Sequence, residues 1–364
     1  MNKTQKIILI AAIAVVLGLM LLIAATVAVG GNVLQYLANE GFFWGRNWDG
    51  DHEYSLRYHN GGLRYDGGGQ GRIILREDDY EYLGLSIDQD FDSIRLDNDF
   101  RDVRLFRSED DQVIFRYPEG PDETYLAQVN AQGVLEIQGK FSQRLLQDSF
   151  NFENRQQYAL ELYLPEKWRG DISLSSDFGD VSVNGVSCRQ LYVNSDYGDL
   201  MLRDTACTQL ELHLDCGEAT VSDLAASQLK AQLSMGDLEL RNAAAAQAEL
   251  KLDCGELQLK NVNCPELWAR LSMGNMEING LQADQAQLSL NAGNLEFADM
   301  DAQRLEIDCD MGNVCGQLAG SWQDYEIHSD CELGRNNLSQ RSQGERYLNV
   351  NVDAGNIEVE FDAD

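Results

Sequence analysis

From about residue 169 onward, apolar and polar residues alternate in short runs, and the runs restart at a fixed interval. Gly179, Gly198, Gly217, Gly236, Gly255, Gly274, Gly293 and Gly312 are equally spaced, each nineteen places after the last. Gly334 and Gly355 continue the series at slightly longer intervals. Aligned on these glycines, the chain falls into columns. Two places after Gly come Val181, Leu200, Ala219, Leu238, Leu257, Met276, Leu295 and Val314. Four places after come Val183, Leu202, Val221, Leu240, Leu259, Ile278 and Phe297. Five and seven places before stand Leu, Val, Ile or Ala, as in Leu174 and Ile172 or Leu250 and Ala248. The residue just before Gly is Phe178, Tyr197, Cys216, Met235, Cys254, Met273, Ala292 or Met311.

Period-two alternation marks a strand with one buried face. The expected inward positions are −7, −5, −3 and −1, then +2 and +4. The parity changes at the glycine, which tolerates positive φ and so predicts a sharp corner. Nothing carries the 3.6-residue period of a helix. The spacings of leucine-rich repeats and of calcium-binding nonapeptide arrays are also absent. One such coil cannot bury its apolar face alone, so equal columns stack on one another. The expected fold is all-β: a parallel β-solenoid of about ten coils with a 19-residue repeat, its rungs about 4.8 Å apart. Leu271 and Met276 are expected in its interior and Glu277 outside.

The repeat also divides the chain. Residues 169–322 are the regular coils. Residues 93–168 are an opening coil and N-terminal cap, with Arg101 in the glycine slot and Phe100 and Val103 matching Phe178 and Val181. Residues 323–364 are irregular terminal coils and a C-terminal cap. The final coil, Leu348–Phe361, is expected at the open end, where Glu358, Glu360, Asp362 and Asp364 discourage edge pairing. Residues 32–92, with Gly61-Gly62 and Gly67-Gly68-Gly69, read as a flexible stalk. Phe42, Phe43, Trp44 and Trp48 suit a membrane interface.

Residues 1–31 predict a membrane anchor. Ile7–Val29 is an uncharged apolar run, about 35 Å long as a helix and enough to cross a bilayer. Lys3 and Lys6 precede it, and the first acid is Glu40. This bias places a short cytoplasmic stub first and the bulk of the chain outside the cell. The run is longer than the core of a cleaved signal and lacks a small-x-small exit, so a single-pass signal anchor is expected.

Charge narrows the function classes. The 364 residues hold 60 Asp and Glu against 28 Lys and Arg, a formal charge of −32. A nucleic-acid partner is excluded, since its phosphates need Lys and Arg.

The coil motif, as in Ser195-Asp196-Tyr197-Gly198-Asp199-Leu200 and Met273-Gly274-Asn275-Met276, resembles the β-strand-repeat family labelled "putative adhesin". The segments Phe91–Ile94 and Asp102-Val103 add to the likeness, which covers about residues 91–361. The resemblance implies an extracytoplasmic domain of unknown function, common in Gram-positive bacteria, with no catalytic residues. The eight cysteines are not explained by it.

Those cysteines show no C-x-x-C spacing. The columns place seven inward and only Cys315 outward. Cys216 and Cys254, alternating with Met235 and Met273, read as core filling. Cys188, Cys207 and Cys264 share the column nine after Gly with Ala226, Ala245, Ala283 and Ala302. Free buried thiols are expected, although neighbouring rungs would also permit Cys188–Cys207 or Cys309–Cys331 bridges. Of the four histidines, His213 and His328 fall on outward columns and His52 and His59 in the stalk. No nucleophile–base–acid set or paired-carboxylate cleft emerges, so no enzyme is expected. Outward Tyr192 and Trp268 share one column four rungs apart, which makes them isolated surface aromatics before they are a sugar platform.

One candidate site remains. Asp177, Asp196 and Asp215 stand two before Gly, and Asp180, Asp199 and Glu218 one after. Six carboxylates thus line one edge of three coils. Turn residues hydrogen-bonding their own backbone account for the residue types. Repulsion among stacked acids also suits a hard divalent cation, and a weak Ca²⁺ site is the expectation. Function is then read as a membrane-anchored, surface-exposed, non-catalytic binding, adhesion or scaffold module for an extracellular protein or glycan. The alternatives are an envelope-stress or signalling accessory that senses through a membrane partner protein, and a glycan-active enzyme.

Overall fold

The computed structural model describes residues 56–58, 63–65, 81–108, 111–120, 123–141 and 158–363. Ile7–Val29 and most of the stalk lie outside these residues; among those described, no helix is long and apolar enough to cross a membrane. The chain forms two compact units, 1–73 and 74–364. In the first, Leu56–Tyr58 pairs antiparallel with Leu63–Tyr65.

The second unit is a β-solenoid whose coils stack in parallel, each residue pairing with its equivalent one repeat away. Leu191 pairs with Leu210, Leu210 with Leu229, and Leu229 with Ala248. The columns at −7, −5, −3, +2 and +4 point inward: Leu210, Leu212, Leu214, Ala219 and Val221 are all buried. Leu271 and Met276 are fully buried and Glu277 is exposed. A further inward run follows at +7 and +9, seen in Val186 and Cys188 or Ala243 and Ala245. Each coil therefore has three inward-facing runs separated by three bends.

Each bend has its own chemistry. At the glycine, φ runs from +126° at Gly179 to +155° at Gly355. The glycines also stack directly: a Cβ on Gly198 would lie 2.2 Å from the carbonyl oxygen of Gly179, and one on Gly293 1.6 Å from that of Gly274. Conformation and space both demand the missing side chain. At +6 stand Gly185, Asp204, Asp223, Asn242, Asn261, Gly280 and Asp299, all at positive φ between 49° and 78°. Asp and Asn are the non-glycine residues that visit this region most readily. The third bend is two successive outward positions, such as Arg189-Gln190 or Ala246-Gln247.

Both ends depart from sequence order. The opening coil, Ser93–Asn98 and Val103–Ser108, pairs on one side with Asp171–Phe178 and Val181–Asn184. On its other side lie Val134–Phe141 and Leu160–Pro165, a later segment of chain placed further out. Antiparallel strands then close this end: Val113–Glu119 against Leu160–Pro165 and Glu81–Ile87, and Glu123–Val129 against Val134–Phe141. The cap thus recruits Glu81–Ile87 from the stretch read as stalk. Arg101, in the glycine slot, reaches into the cap and forms a buried bidentate pair with Glu123 (2.9 and 2.6 Å), whose carboxylate also accepts from Tyr125 (2.6 Å).

At the C-terminal end the expectation fails. Arg346–Ala354 pairs with Leu295–Met311 on one side and with Tyr325–Leu333 on the other. The final coil is therefore inserted beneath its predecessor, and Tyr325–Leu333 is the outermost rung. The loop that crosses back is pinned at buried Tyr325, whose hydroxyl donates to the Ala319 carbonyl (2.7 Å) and accepts from Arg346 (3.1 Å). This order also separates Cys309 from Cys331: both pair with Val352, one on each side. Two rungs are about 9.6 Å, beyond disulfide reach.

Candidate functional surface

The glycine corner carries three parallel files of side chains, at −2, −1 and +1. The +1 file is a hydrogen-bonded ladder. The amide of Asp199 donates to Oδ1 of Asp180, and that of Glu218 to Oδ1 of Asp199, each at 2.9 Å. The Glu256 amide donates to Asp237 (2.7 Å) and the Asn294 amide to Asn275 (3.1 Å). The ladder crosses the rearranged end, where the Asn356 amide donates to Oδ1 of Asn313 (3.0 Å). Any short side chain with a carbonyl-like oxygen serves here, which explains why Asp gives way to Asn along the file.

The −2 file holds Asp177, Asp196, Asp215, Ser234, Asp253, Ser272, Asn291 and Asp310. Burial first, then the charges of Asp196 and Asp97, push the Asp177 carboxyl up. Asp99, its counterpart on the opening coil, is raised by burial and then by Asp177 and Asp97. The six acids singled out in the sequence therefore lie along one edge as two files. Among the described residues no three of His, Cys, Asp and Glu converge around a point as a metal-binding group.

The −1 file points outward, against expectation. The chain starts its turn two residues before the glycine, so −2, −1 and +1 all face solvent and only +2 returns to the core. Tyr197 is 52 % exposed, Met235 48 % and Met311 49 %. Phe178 stacks on Tyr197 with ring centroids 5.1 Å apart and planes 8° from parallel, and on Phe100 at 6.4 Å and 10°. Cys216 and Cys254 are half-buried members of this file rather than core residues. The outward ridge thus reads Phe100, Phe178, Tyr197, Cys216, Met235, Cys254 and Met273 in rung order. Sequence columns placed these residues together but assigned them to the wrong side of the sheet. A usable signal was present: Tyr197, Met235 and Met311 have Asp or Ser before them and Gly-Asp or Gly-Asn after them, with no apolar neighbour nearer than −3 or +2.

Among the described residues, the histidines of the remaining exterior sit in local pairs. His213 Nε2 donates to the Glu211 carboxylate (2.9 Å), which also pairs with Lys230 (3.2 Å). His328 meets Glu326 in the same way at 2.8 Å. Tyr192 packs beside His213, centroids 5.5 Å apart, and Trp268 is half-exposed on the same column. Cys188 and Cys207 are buried partners on adjacent rungs. Their shared thiol hydrogen bond and burial push the Cys188 thiol up. Cys264 and Cys309 are each pushed up to about 11, chiefly by burial. All eight cysteines stand as free thiols.

No curated protein matches the chain. Solved structures do. A "putative adhesin" from Bacteroides fragilis NCTC 9343 shares 13 % identity over 77 % of this chain and 97 % of its own, with a TM-score of 0.35. A "putative adhesin" from Parabacteroides distasonis ATCC 8503 shares 15 % identity over 78 % and 96 %, with a TM-score of 0.38. A "putative cell adhesion protein" from Clostridium sporogenes ATCC 15579 shares 11 % over 78 % and 99 %, with a TM-score of 0.17. The Toastrack DUF4097 family matches residues 91–266 and again residues 228–363, two overlapping passes along one repeat array. With coils matched over so much of its length, the chain belongs to the Toastrack DUF4097 family.

Proposed function

We propose that this protein is a membrane-anchored, surface-exposed binding rod without catalytic activity, and that its corner ridge is the contact surface. The observation that carries this reading is the −1 file: apolar side chains that lie in register on successive rungs outside the core, with Tyr197, Met235 and Met311 about half exposed and Phe178, Cys216, Cys254 and Met273 half-buried between and beside them. Scattered surface apolar residues are ordinary, but a contiguous row bordered by polar files is the pattern of an interaction site. Ile7–Val29 would hold the solenoid at the outer face of the cell membrane, where an extracellular protein, a glycan or a second membrane protein can reach it.

The acidic edge belongs to the same proposal as a weak Ca²⁺ site made by Asp177, Asp180, Asp196, Asp199, Asp215 and Glu218. Repulsion within the Asp177–Asp196 file supports it. Each of Asp180 and Asp199 gives one carboxylate oxygen to the ladder, and the other is available to a cation.

The test compares cells carrying the wild-type chain with cells carrying Tyr197→Ser, Met235→Ser and Met311→Ser together. Attachment to surfaces and cross-linked capture of surface partners should both fall, while protease accessibility on wall-free cells stays the same. Unchanged attachment and capture would remove the ridge from the reading. Full protection of residues 93–364 from added protease would overturn the orientation.

A further inference from the structure

Four consecutive rungs of the outward file carry sulfur-bearing side chains in register. Cys216 pairs in register with Met235, Met235 with Cys254, and Cys254 with Met273. The core does not explain them: Met235 is 48 % exposed and both thiols are half-buried. The same file shows how its side chains run. On the two preceding rungs Phe178 and Tyr197 lie side by side, 5.1 Å apart and almost parallel. Side chains of this file therefore project together, with a separation close to one rung.

We propose that Cys216, Met235, Cys254 and Met273 bind a soft monovalent d¹⁰ cation, Cu(I) being the natural candidate and Ag(I) its redox-inert equivalent. Thiolate and thioether sulfur select such ions over harder divalent ones. A linear sulfur–metal–sulfur unit with bonds of about 2.3 Å spans about 4.6 Å, which matches a rung of about 4.8 Å. An ion between Cys216 and Met235, or between Met235 and Cys254, then needs the flexible Met235 side chain to turn its sulfur level with the thiol, a rotation of side-chain bonds alone. The column is unsuited to tetrahedral Zn²⁺, because its donors form a line and do not surround a point. The thiols cannot instead join to each other. Met235 keeps Cys216 and Cys254 two rungs apart, beyond disulfide geometry. Asp215, Asp253, Glu218, Asp237 and Glu256 flank the row on the −2 and +1 files and supply a negative field that favours a cation. On binding, each ligating thiol loses its proton to solvent as its sulfur–metal bond forms; the metal's oxidation state does not change.

This inference rests on the geometry of the sulfur row and not on the partner-binding reading. The full-length chain is titrated with Ag(I) in chloride-free buffer, and with Cu(I) without oxygen against a Cu(I) chelator. Cys315→Ser is the background, because that exposed thiol lies elsewhere. Metal is expected to bind and to protect Cys216 and Cys254 from alkylation. Cys216→Ser with Cys254→Ser should abolish binding. Met235→Leu, which keeps the side chain's size and loses its sulfur, should weaken it at least about tenfold. Unaltered melting temperatures in the variants show that the solenoid is intact. Binding that survives the double serine change, or that is indifferent to Met235→Leu, overturns the proposal. Loss of metal with partner capture retained separates this site from the broader ridge.

Discussion

The ring of Tyr197 lies 5.1 Å from that of Phe178, one coil away and 8° from parallel, on the outside of the solenoid. An aromatic residue next to a corner glycine is usually read as core. Here the pair stacks in solvent because the corner turns the chain early. The first prediction follows from that placement. Tyr197→Ser should lower stability by no more than about 1 kcal/mol, since a surface substitution removes one stacking contact. Leu271→Asp, in a fully buried column, should cost several kcal/mol by leaving a charge unpaired in apolar packing. Glu277→Lys should stay within about 0.5 kcal/mol. Denaturant melts of the three variants check the order; a Tyr197 penalty equal to that of Leu271 would return the −1 file to the interior.

The second prediction concerns the corner. A Cβ on Gly236 would lie 1.8 Å from the carbonyl oxygen of Gly217, and its φ is +151°. Gly236→Ala should therefore cost at least about 3 kcal/mol, through strain and displacement of the neighbouring rung. Asn242→Gly, at the other bend with φ +50°, should cost no more than about 1 kcal/mol, because the conformation is tolerated and only exposed side-chain hydrogen bonds to Asp223 (3.2 Å) and from Asn261 (3.3 Å) are lost. A urea melt in which both changes behave alike would show that stacking of glycines is not what the first corner requires.

Much of this fold was legible because a solenoid repeats its constraints. The glycine spacing, the inward columns and the corner itself each recur often enough to be read without structure. What was missed did not repeat in the same way, or used residue types with two meanings. Phe178, Met235 and Cys216 are apolar, and apolarity alone does not distinguish a core from an exposed ridge. The +6 bend was visible as a column of Asp, Asn and Gly, but positive φ leaves only that faint compositional trace. The order of the last coils is a long-range pairing, and its only sequence mark was the lengthened interval before Gly334 and again before Gly355. The equal spacing of the acids implied files along one edge; the ladder that employs the +1 oxygens emerges only from register.

Thiol reactivity should follow the corrected placement. Cys315 is exposed and Cys216 and Cys254 are half-buried, whereas Cys188, Cys207, Cys264 and Cys309 are buried. A neutral maleimide applied to the native chain should label Cys315, then Cys216 and Cys254, and reach the buried four only on unfolding. The thiols of Cys216 and Cys254 are pushed up by partial burial and by Asp215 and Asp253 respectively, so their labelling should remain slow at pH 7 and quicken toward alkaline pH. Labelling of Cys188 as fast as Cys315, read by peptide mass mapping, would contradict the inward column at +9. Non-reducing mapping should find no Cys309–Cys331 link, since Val352 lies between them.

The charge stack makes a prediction about acid. Asp177 binds its proton more tightly in the folded chain than an ordinary carboxyl does, through burial and then through Asp196 and Asp97. A raised folded-state value favours the fold at low pH: between the unfolded and folded values the native state holds more protons, so stability falls as pH rises through that window. At pH 7 the ionised group opposes folding. Asp177→Asn should then raise the melting temperature slightly at pH 7, and the gain should shrink as pH falls through the carboxylate range. A gain that is constant with pH would assign the effect to the amide's hydrogen bonds instead of relief of repulsion.

The same repulsion decides the calcium proposal. A cation that binds the native edge and not the unfolded chain stabilises by linkage, with an increment that grows with its concentration. For a weak extracellular-type site, Ca²⁺ at several millimolar should be enough to see it. The full-length chain is melted in Ca²⁺, in Mg²⁺ and in chelator at matched ionic strength, which holds general screening constant. Under the proposal Ca²⁺ raises the melting temperature above the other two. Asp177, Asp196 and Asp215 changed together to Asn should abolish that increment and stabilise the metal-free chain, because the change removes like charge from the −2 file and leaves the +1 ladder through Asp180 and Asp199 untouched. If the wild-type melts coincide, the corner is a hydrogen-bonded ladder whose acids serve the backbone, and Asp177 to Glu218 hold no cation.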